Sequence, residues 1–214
     1  MTEDLNTPRY ERYRAAYDSP EPPPWDSGIV PPEVRALVEG EHPLPPGRAL
    51  DVGCGTGVSA VYLAAHGWQV TGVDWVEEAL ARARLRARES GLGAGQVRFL
   101  RANVVSPDFL PDHPPVSLWL DVGCMHTFPA DELSLYARHA ARLVMPGGTL
   151  KLYAWRRHER DGAVTGLEPE AVRALLAPAF TLVEAVLSQD TADGVRPSAW
   201  YTLRRLPGVP SVGF

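Results

Sequence analysis

The chain has 214 residues, enough for one sizeable hydrophobic core, and a formal net charge of −5. This balance excludes the broad basic field with which proteins attract nucleic acid or anionic membranes, so a small molecule is the expected partner. The two cysteines, Cys54 and Cys124, give no basis for a disulfide framework and favour a reducing cytoplasm.

The N-terminal region is charged throughout and has no apolar run of the kind that a signal peptide or a membrane-spanning helix requires. Within it, Tyr10, Tyr13 and Tyr17 recur at helical spacing, which predicts a helix face packed on the body of the protein. Prolines then cluster in SPEPPPW and again in HPLPPG. Because proline lacks a backbone N–H and restricts the residue before it, these clusters should delimit a short helix near residues 32 to 39.

From residue 47 onward, short apolar runs alternate with amphipathic stretches. We predict strands for RALDVG, QVTGVD, VRFLRAN, VSLWLDVG, GTLKLYAW, TLVEAVLS and AWYTLRRL. Helical segments between the early runs indicate right-handed crossovers and a mainly parallel sheet, and the last two runs can form an antiparallel edge hairpin. The predicted fold is α/β, with a Rossmann-like, doubly wound, seven-stranded sheet. Residues 1–46 are interpreted as a helical extension or lid of the same domain that continues over residues 47–214.

A glycine-rich loop follows the first predicted strand, with Gly53, Gly55 and Gly57 at every second position before a helix. Glycines let backbone N–H groups approach a ligand closely, and a helix start offers free N–H groups with partial positive charge. The dinucleotide fingerprint G-x-G-x-x-G would require glycine at position 58, where the chain has Val58. The motif is instead D-x-G-x-G-x-G, beginning at Asp51.

A second strand ends in an aspartate, Asp74, which is positioned to accept hydrogen bonds from both hydroxyl groups of a ribose. At this point residues 45 to 155 resemble the class I S-adenosylmethionine-dependent methyltransferases, with LDVGCGTG similar to their first motif and GVDW to their second. The resemblance implies S-adenosyl-L-methionine as the cofactor. It also implies that Gly53 and Gly55 cradle the methionine end, and that Asp51 orients its ammonium group.

The same resemblance implies that Asp74 holds the ribose and that Trp75 lies along the adenine. At the third strand end, Asn103 stands where the family often has an aspartate, and its amide oxygen can still accept a hydrogen bond from the adenine amino group. Val104 and Gly57 complete this part of the expected cofactor site.

The tetrapeptide DVGC ends a second strand as well, in LDVGCMHTF. Because ligands bind beyond the carboxyl ends of parallel strands, we expect both copies to serve one site. Asp121 is the candidate to face the cofactor's ammonium group. His126, at the expected mouth of the cleft, is the candidate catalytic residue, and a surface or packed role is the alternative. Both cysteines are expected to be small buried residues.

The segment before the glycine loop, PPWDSGIVPPEVRALVEGEHPLPPGRALDVGCG, is similar to the thiol, halide and thiopurine methyltransferase group. That group shares a Trp-Asp-x-Gly stretch, a downstream proline and LPxGRAL before the first motif. In it the N-terminal segment folds over the cofactor, which makes Trp25 and Asp26 candidates for a lid. The fourth strand end differs from that of the thiopurine branch, which argues against a purine substrate.

Two arginine-rich segments have simpler interpretations. The run Arg156, Arg157, His158 and Arg160 is either a solvated basic loop or a contact for an anionic substrate. The arginines at positions 82, 84, 86 and 88 spread over two sides of a helix, which predicts a solvated surface. The six histidines show no paired ligand spacing, so no metal is expected.

The sequence therefore predicts a cytoplasmic enzyme that methylates a small molecule, preferably a thiol or another soft acceptor, with an oxygen or nitrogen acceptor as the alternative. An NAD(P)-dependent oxidoreductase shares the architecture, but Val58 disagrees with its fingerprint. A non-catalytic cofactor-binding protein would keep the fold without a reactive cleft. We expect no nucleic-acid or membrane partner, and the sequence specifies neither the acceptor nor the oligomeric state.

Overall fold

The computed structural model describes residues 7–160, 163–190 and 195–208. In these residues seven strands belong to one mainly parallel sheet, as predicted, and two short strands form a separate sheet. The chain divides into two compact units, Met1–Ser106 and Pro107–Phe214. The N-terminal extension (residues 1–46) and the residues that follow it up to position 106 belong to the first unit.

The first unit alternates helices and parallel strands. Its elements are α1 (Pro8–Asp18), α2 (Pro32–Glu39), β1 (Arg48–Val52), α3 (Val58–Ala65), β2 (Gln69–Asp74), α4 (Glu77–Glu89) and β3 (Val97–Arg101). The strands lie in the order β3-β2-β1, and β2 is parallel to both neighbours. Strand β1 is buried along most of its length because it carries the apolar residues of RALDV inward.

The second unit begins with β4 (Val116–Val122), a 3₁₀ helix (Met125–Thr127), α5 (Ala130–Leu143) and β5 (Val144–Trp155). It continues with β6 (His158–Arg160), β7 (Ala163–Thr165), α6 (Pro169–Leu176), β8 (Phe180–Asp190) and β9 (Arg196–Arg205). Strand β4 is parallel to β5, whereas β9 is antiparallel to both β5 and β8. This pairing confirms the predicted antiparallel edge.

Helix α1 confirms the expected tyrosine face. Tyr10 and Tyr17 are buried in a cluster with Val76 and Ala79, and Tyr13 packs against it. Thr7 caps the helix by accepting the N–H of residue 10 at 3.1 Å. The N-terminal extension is therefore anchored to the start of α4. Among the described residues, no helix is both long and apolar enough to cross a membrane.

The basic segment after β5 is a hairpin rather than a loop. Strands β6 and β7 pair antiparallel, with His158 opposite Thr165. Just before β6, Arg156 forms an ion pair with Glu168, with 3.0 Å between Nη2 and Oε2. Arg156 thus has a partner within its own unit.

Gly72 in β2 shows how tightly the first unit packs around the strand ends. An added Cβ would lie 2.7 Å from Cδ1 of Phe99 and 3.0 Å from Sγ of Cys54. We expect Gly72→Ala to lower the free energy of unfolding by about 1–3 kcal/mol, the usual cost of overpacking a core. Gly95→Ala is the control, because nothing lies within 4 Å of its added Cβ. Urea denaturation measures both variants, and equal midpoints would contradict this packing.

Candidate functional site

The backbone conformation of the glycine loop explains why glycine occupies every second position. Gly53, Gly55 and Gly57 have φ values of 65°, 52° and 76°, in the left-handed region that glycine adopts without strain. Gly57 is the N-cap of α3, and no side chain accepts a hydrogen bond from the first turn there. The loop therefore presents backbone N–H groups and a helix start, which suit a polar or anionic part of a ligand.

Asp74 binds this loop directly. The Gly55 N–H donates to its Oδ2 at 2.8 Å, and the Val76 N–H donates to its Oδ1 at 2.9 Å. Burial raises the pKa of the Asp74 carboxyl, and the backbone donors oppose that rise. Each carboxylate oxygen keeps a second lone pair, so Asp74 can still accept ribose hydroxyls. Sequence reasoning found the residue but missed that it also fixes the loop.

The other predicted residues of the first unit lie at strand ends. Asp51 is buried near the end of β1, with 2% of its surface exposed. Asn103 accepts the Val105 N–H through Oδ1 at 3.1 Å, which shapes the turn after β3. Val104, in the same turn, is buried. The amide oxygen assigned to adenine thus already has a backbone donor.

The two predicted tryptophans both contact α1. Trp75 packs on Tyr10, with ring centroids 5.2 Å apart, and its Nε1 is buried without a hydrogen-bond partner. Trp25 is 52% exposed and donates through Nε1 to the hydroxyl of Tyr17 at 3.1 Å. Its ring also meets Tyr13 edge to face. The extension is thereby tied together by aromatic contacts.

Tyr17 is a site residue that sequence reasoning treated only as packing. Its hydroxyl oxygen would lie 3.0 Å from a Cβ added at Gly55, so it stands directly against the glycine loop. Burial raises the pKa of the Tyr17 hydroxyl, and the negative charge of Asp74 adds to this rise. The helical spacing of the tyrosines gave the buried face but carried no signal for this contact.

The prediction that all four arginines of α4 are solvated is wrong for Arg82 and Arg86. Arg82 donates through Nη2 to the carbonyl oxygens of Tyr17 and Ser19, at 2.8 and 2.5 Å. Arg86 donates through Nε to the carbonyl oxygen of Thr56 at 3.0 Å. Residues four apart share a helix face, so α4 directs both guanidinium groups to neighbouring backbone.

In the second unit, Asp121 of β4 is completely buried. Its Oδ1 accepts the Cys124 N–H at 2.7 Å, and its Oδ2 accepts the Met125 N–H at 3.1 Å and the Tyr136 hydroxyl at 2.8 Å. Burial raises its pKa to about 7, against the effect of these donors. The carboxyl group therefore holds the start of the 3₁₀ helix, a role that the sequence did not indicate.

His126 is buried rather than at an open cleft mouth, with 7% of its surface exposed. Its ring stacks on Trp155 with centroids 4.1 Å apart, and Nδ1 accepts the Trp155 N–H at 3.3 Å. The neutral ring therefore carries its proton on Nε2. Burial lowers the pKa of His126 to about 3. Near neutral pH this side chain is a weak base, because its charged form is poorly solvated.

The β8–β9 pairing brings further polar groups to this histidine. Asp190 lies opposite Arg196 in the register of the two strands. Trp155 donates through Nε1 to Oδ2 of Asp190 at 3.0 Å, and the Arg196 guanidinium lies 4.5 Å from the Trp155 ring centroid. This cluster could not be predicted from the sequence, because its members are far apart along the chain. Within the described ranges, no three His, Cys, Asp or Glu side chains are grouped to hold a metal ion.

Comparison with known proteins gives a family match over the central part of the chain. Residues 49–148 match the family described as a methyltransferase domain. The chain is 28% identical over 209 residues to the 2-heptyl-1-hydroxyquinolin-4(1H)-one methyltransferase of Mycobacteroides abscessus, which covers 94% of this chain and 84% of that protein.

Two solved structures share nearly the whole fold. One comes from work on the conversion of a disulfide bond into a thioacetal group during echinomycin biosynthesis. It is 27% identical with a TM-score of 0.75, and the match covers 92% of this chain and 93% of that one. The other is the N-methyltransferase NodS of Bradyrhizobium japonicum WM9 in complex with S-adenosyl-L-homocysteine. At 19% identity and a TM-score of 0.73, covering 92% of this chain and 97% of that one, it shows a common fold.

The chain spans only part of other curated relatives. It covers 25% of the ribosomal RNA small subunit methyltransferase C of Alcanivorax borkumensis, at 37% identity over 83 residues, or 36% of this chain. It covers 59% of a probable thiol methyltransferase 2 of Arabidopsis thaliana, at 33% identity over 141 residues, or 65% of this chain. Neither of these two alignments covers this chain or the relative fully.

The raised pKa of Asp121 predicts an unusual pH dependence of stability. Its value rises from 3.8 to about 7 on folding, so between these pH values the folded state binds more protons than the unfolded state. The free energy of unfolding should therefore fall as pH rises through this window, by up to about 4 kcal/mol. Urea denaturation of the wild type and Asp121→Asn at pH 5 and pH 7.5 measures the effect. In the variant, the free energy of unfolding should fall less between these two pH values than in the wild type. An equal fall in both proteins would contradict the raised pKa of Asp121.

Proposed function

This chain carries a class I S-adenosylmethionine-dependent methyltransferase domain, and on that premise we propose that it transfers a methyl group from S-adenosylmethionine to a small-molecule nucleophile. The observation that carries the proposal is the junction of the D-x-G-x-G-x-G loop with Asp74, through the 2.8 Å hydrogen bond from Gly55. An uncapped helix start and a carboxylate at the next strand end suit the amino-acid and ribose parts of this cofactor.

We assign the predicted residues the following roles in binding that cofactor. The glycine loop cradles the methionine end, with Asp51 toward its ammonium group. The sequence assigned Asp121 to that group as well, but its carboxylate is completely buried and holds the 3₁₀ helix instead. Asp74 accepts the ribose hydroxyls, Trp75 with Asn103 and Val104 borders the adenine, and Trp25 covers the site. When bound, the cofactor would supply a methyl group on a positively charged sulfur that is a good leaving group.

The proposed acceptor is a nucleophile that is already reactive near neutral pH. The only sequence candidate for a general base is His126, and its pKa is lowered to about 3. A thiol titrates near 8.5 and supplies thiolate without a base, whereas an aliphatic hydroxyl does not. Alignment of nucleophile, methyl group and sulfur can itself contribute about 7–11 kcal/mol. The disulfide-to-thioacetal relative and the probable thiol methyltransferase support a sulfur acceptor.

A hydroxyl group on a heteroaromatic ring is the second candidate. One relative, which aligns with 94% of this chain, is named for a 1-hydroxyquinolinone, whose ring-bound hydroxyl is more acidic than an aliphatic one. Such an acceptor also ionises without a strong base, so it meets the same requirement. A ribosomal RNA acceptor is less well supported, because the net charge of this chain is −5 and that relative aligns with 36% of it. Neither Cys54 nor Cys124 is in a disulfide, both are half-buried rather than buried as expected, and a reducing cytoplasm is the proposed compartment.

Calorimetry tests the cofactor. S-adenosylhomocysteine should bind with micromolar affinity, and Asp74→Ala should weaken it by about 1.5–3 kcal/mol or more, since a charged acceptor and the anchor of the loop are lost together. Asp112→Ala, which removes an exposed carboxylate elsewhere, should leave the affinity unchanged. Tight binding of NAD with no response to S-adenosylhomocysteine would overturn the proposal.

Methylation kinetics test the acceptor. We expect small thiols to be methylated at a rate that rises with pH as the thiol ionises. His126→Asn keeps an acceptor for the Trp155 N–H and removes the imidazole, and it should cost less than about tenfold in turnover because no base is required. A thousandfold loss in a variant that still binds S-adenosylhomocysteine normally would make His126 the general base and favour a hydroxyl acceptor.

A further inference from the structure

A short chain of hydrogen bonds ties the Trp-Asp-Ser-Gly segment (residues 25–28) to the glycine loop. The Thr56 hydroxyl donates to Oδ2 of Asp26 at 2.6 Å. The Thr56 hydroxyl oxygen also accepts a hydrogen bond from Nη2 of Arg86 at 3.3 Å, and Nε of Arg86 donates to the Thr56 carbonyl oxygen. We refer to Asp26, Thr56 and Arg86 as the latch. All three lie in the first unit.

The chemistry of the latch fixes the direction of each bond. A guanidinium group can only donate, and an ionised carboxylate can only accept. The Thr56 hydroxyl therefore turns its proton toward Asp26 and a lone pair toward Arg86. Both bonds involve a charged group and are stronger than neutral ones. Thr56 is 4% exposed, so water competes poorly for its hydroxyl.

The segment that the latch holds is itself restrained. Asp26 accepts the Gly28 N–H through Oδ1 at 3.2 Å and donates its own N–H to the carbonyl of Pro23 at 2.8 Å. Four of residues 20–24 are prolines, which limits the conformational entropy that closing the segment costs. At the other end, Arg82 holds the carbonyl oxygens of Tyr17 and Ser19. Arg82 therefore holds the start of residues 17–28 directly, and Arg86 holds their end through Thr56.

We propose that the latch holds residues 20–28 against the glycine loop before the cofactor binds, and that it fixes the loop in its binding conformation. Thr56 and Arg86 are then positioning residues, because they act on the cofactor through the loop rather than by touching it. Thr56 stands between Gly55 and Gly57, so any shift of its backbone moves the N–H groups on both sides. The inference rests on the proposed function in taking this loop as the cofactor site.

Thr56→Val is the decisive variant, because it keeps the shape of the side chain and removes the hydroxyl that joins Asp26 to Arg86. Amide hydrogen exchange at residues 26–29 should rise at least about tenfold without ligand, and S-adenosylhomocysteine should bind about 5–30-fold more weakly. Thr56→Ser restores the hydroxyl and should recover both properties. A purely structural defect would not be rescued in binding and in local exchange together by this one oxygen atom.

Arg88→Ala is the control on the same helix, since Arg88 is exposed, and it should match the wild type in both measurements. Wild-type exchange at residues 26–29 in Thr56→Val would overturn the latch, as would unchanged affinity in that variant. If the wild type itself fails to bind S-adenosylhomocysteine, the proposed function fails, while the exchange experiment still reports whether the latch holds the segment.

Discussion

The hydrogen bond from the Gly55 N–H to the Asp74 carboxylate is the constraint on which the arrangement of the first unit depends. It joins two residues that are 19 positions apart and is 2.8 Å long. Parallel pairing of Val52 with Val73 sets the ends of β1 and β2 side by side, and the left-handed conformation of Gly55 lets the loop turn its N–H toward the second strand. The loop and the carboxylate therefore keep a fixed arrangement toward a ligand.

The Asp74 carboxylate already has hydrogen-bond partners within the protein. Its carboxylate accepts two backbone N–H groups, and burial raises its pKa. Further donors, such as ribose hydroxyls, would stabilise the ionised form of this carboxyl group. Burial, which disfavours the ionised carboxylate, therefore favours a ligand that supplies such donors.

In the second unit, burial limits the reactivity of two side chains that the sequence proposed for the site. His126 is packed on Trp155 and has a pKa near 3, and Asp121 is fully hydrogen-bonded under the 3₁₀ helix. Neither side chain is set up to remove a proton from a weakly acidic acceptor. The proposed methyl transfer would then depend mainly on alignment of the reactants.

The alternation of strands and helices, the edge hairpin, the glycine loop and the acidic end of β2 could be predicted, because each depends on local periodicity or on residues close together in the chain. The folded structure was needed to show that Arg82 and Arg86 bind backbone carbonyls, that His126 is buried, and that Tyr17 lies against Gly55. Helical spacing places two arginines on one face but does not say what that face meets. Burial and the pKa values that follow from it depend on contacts between residues far apart in the chain, and those contacts exist only once the chain has folded.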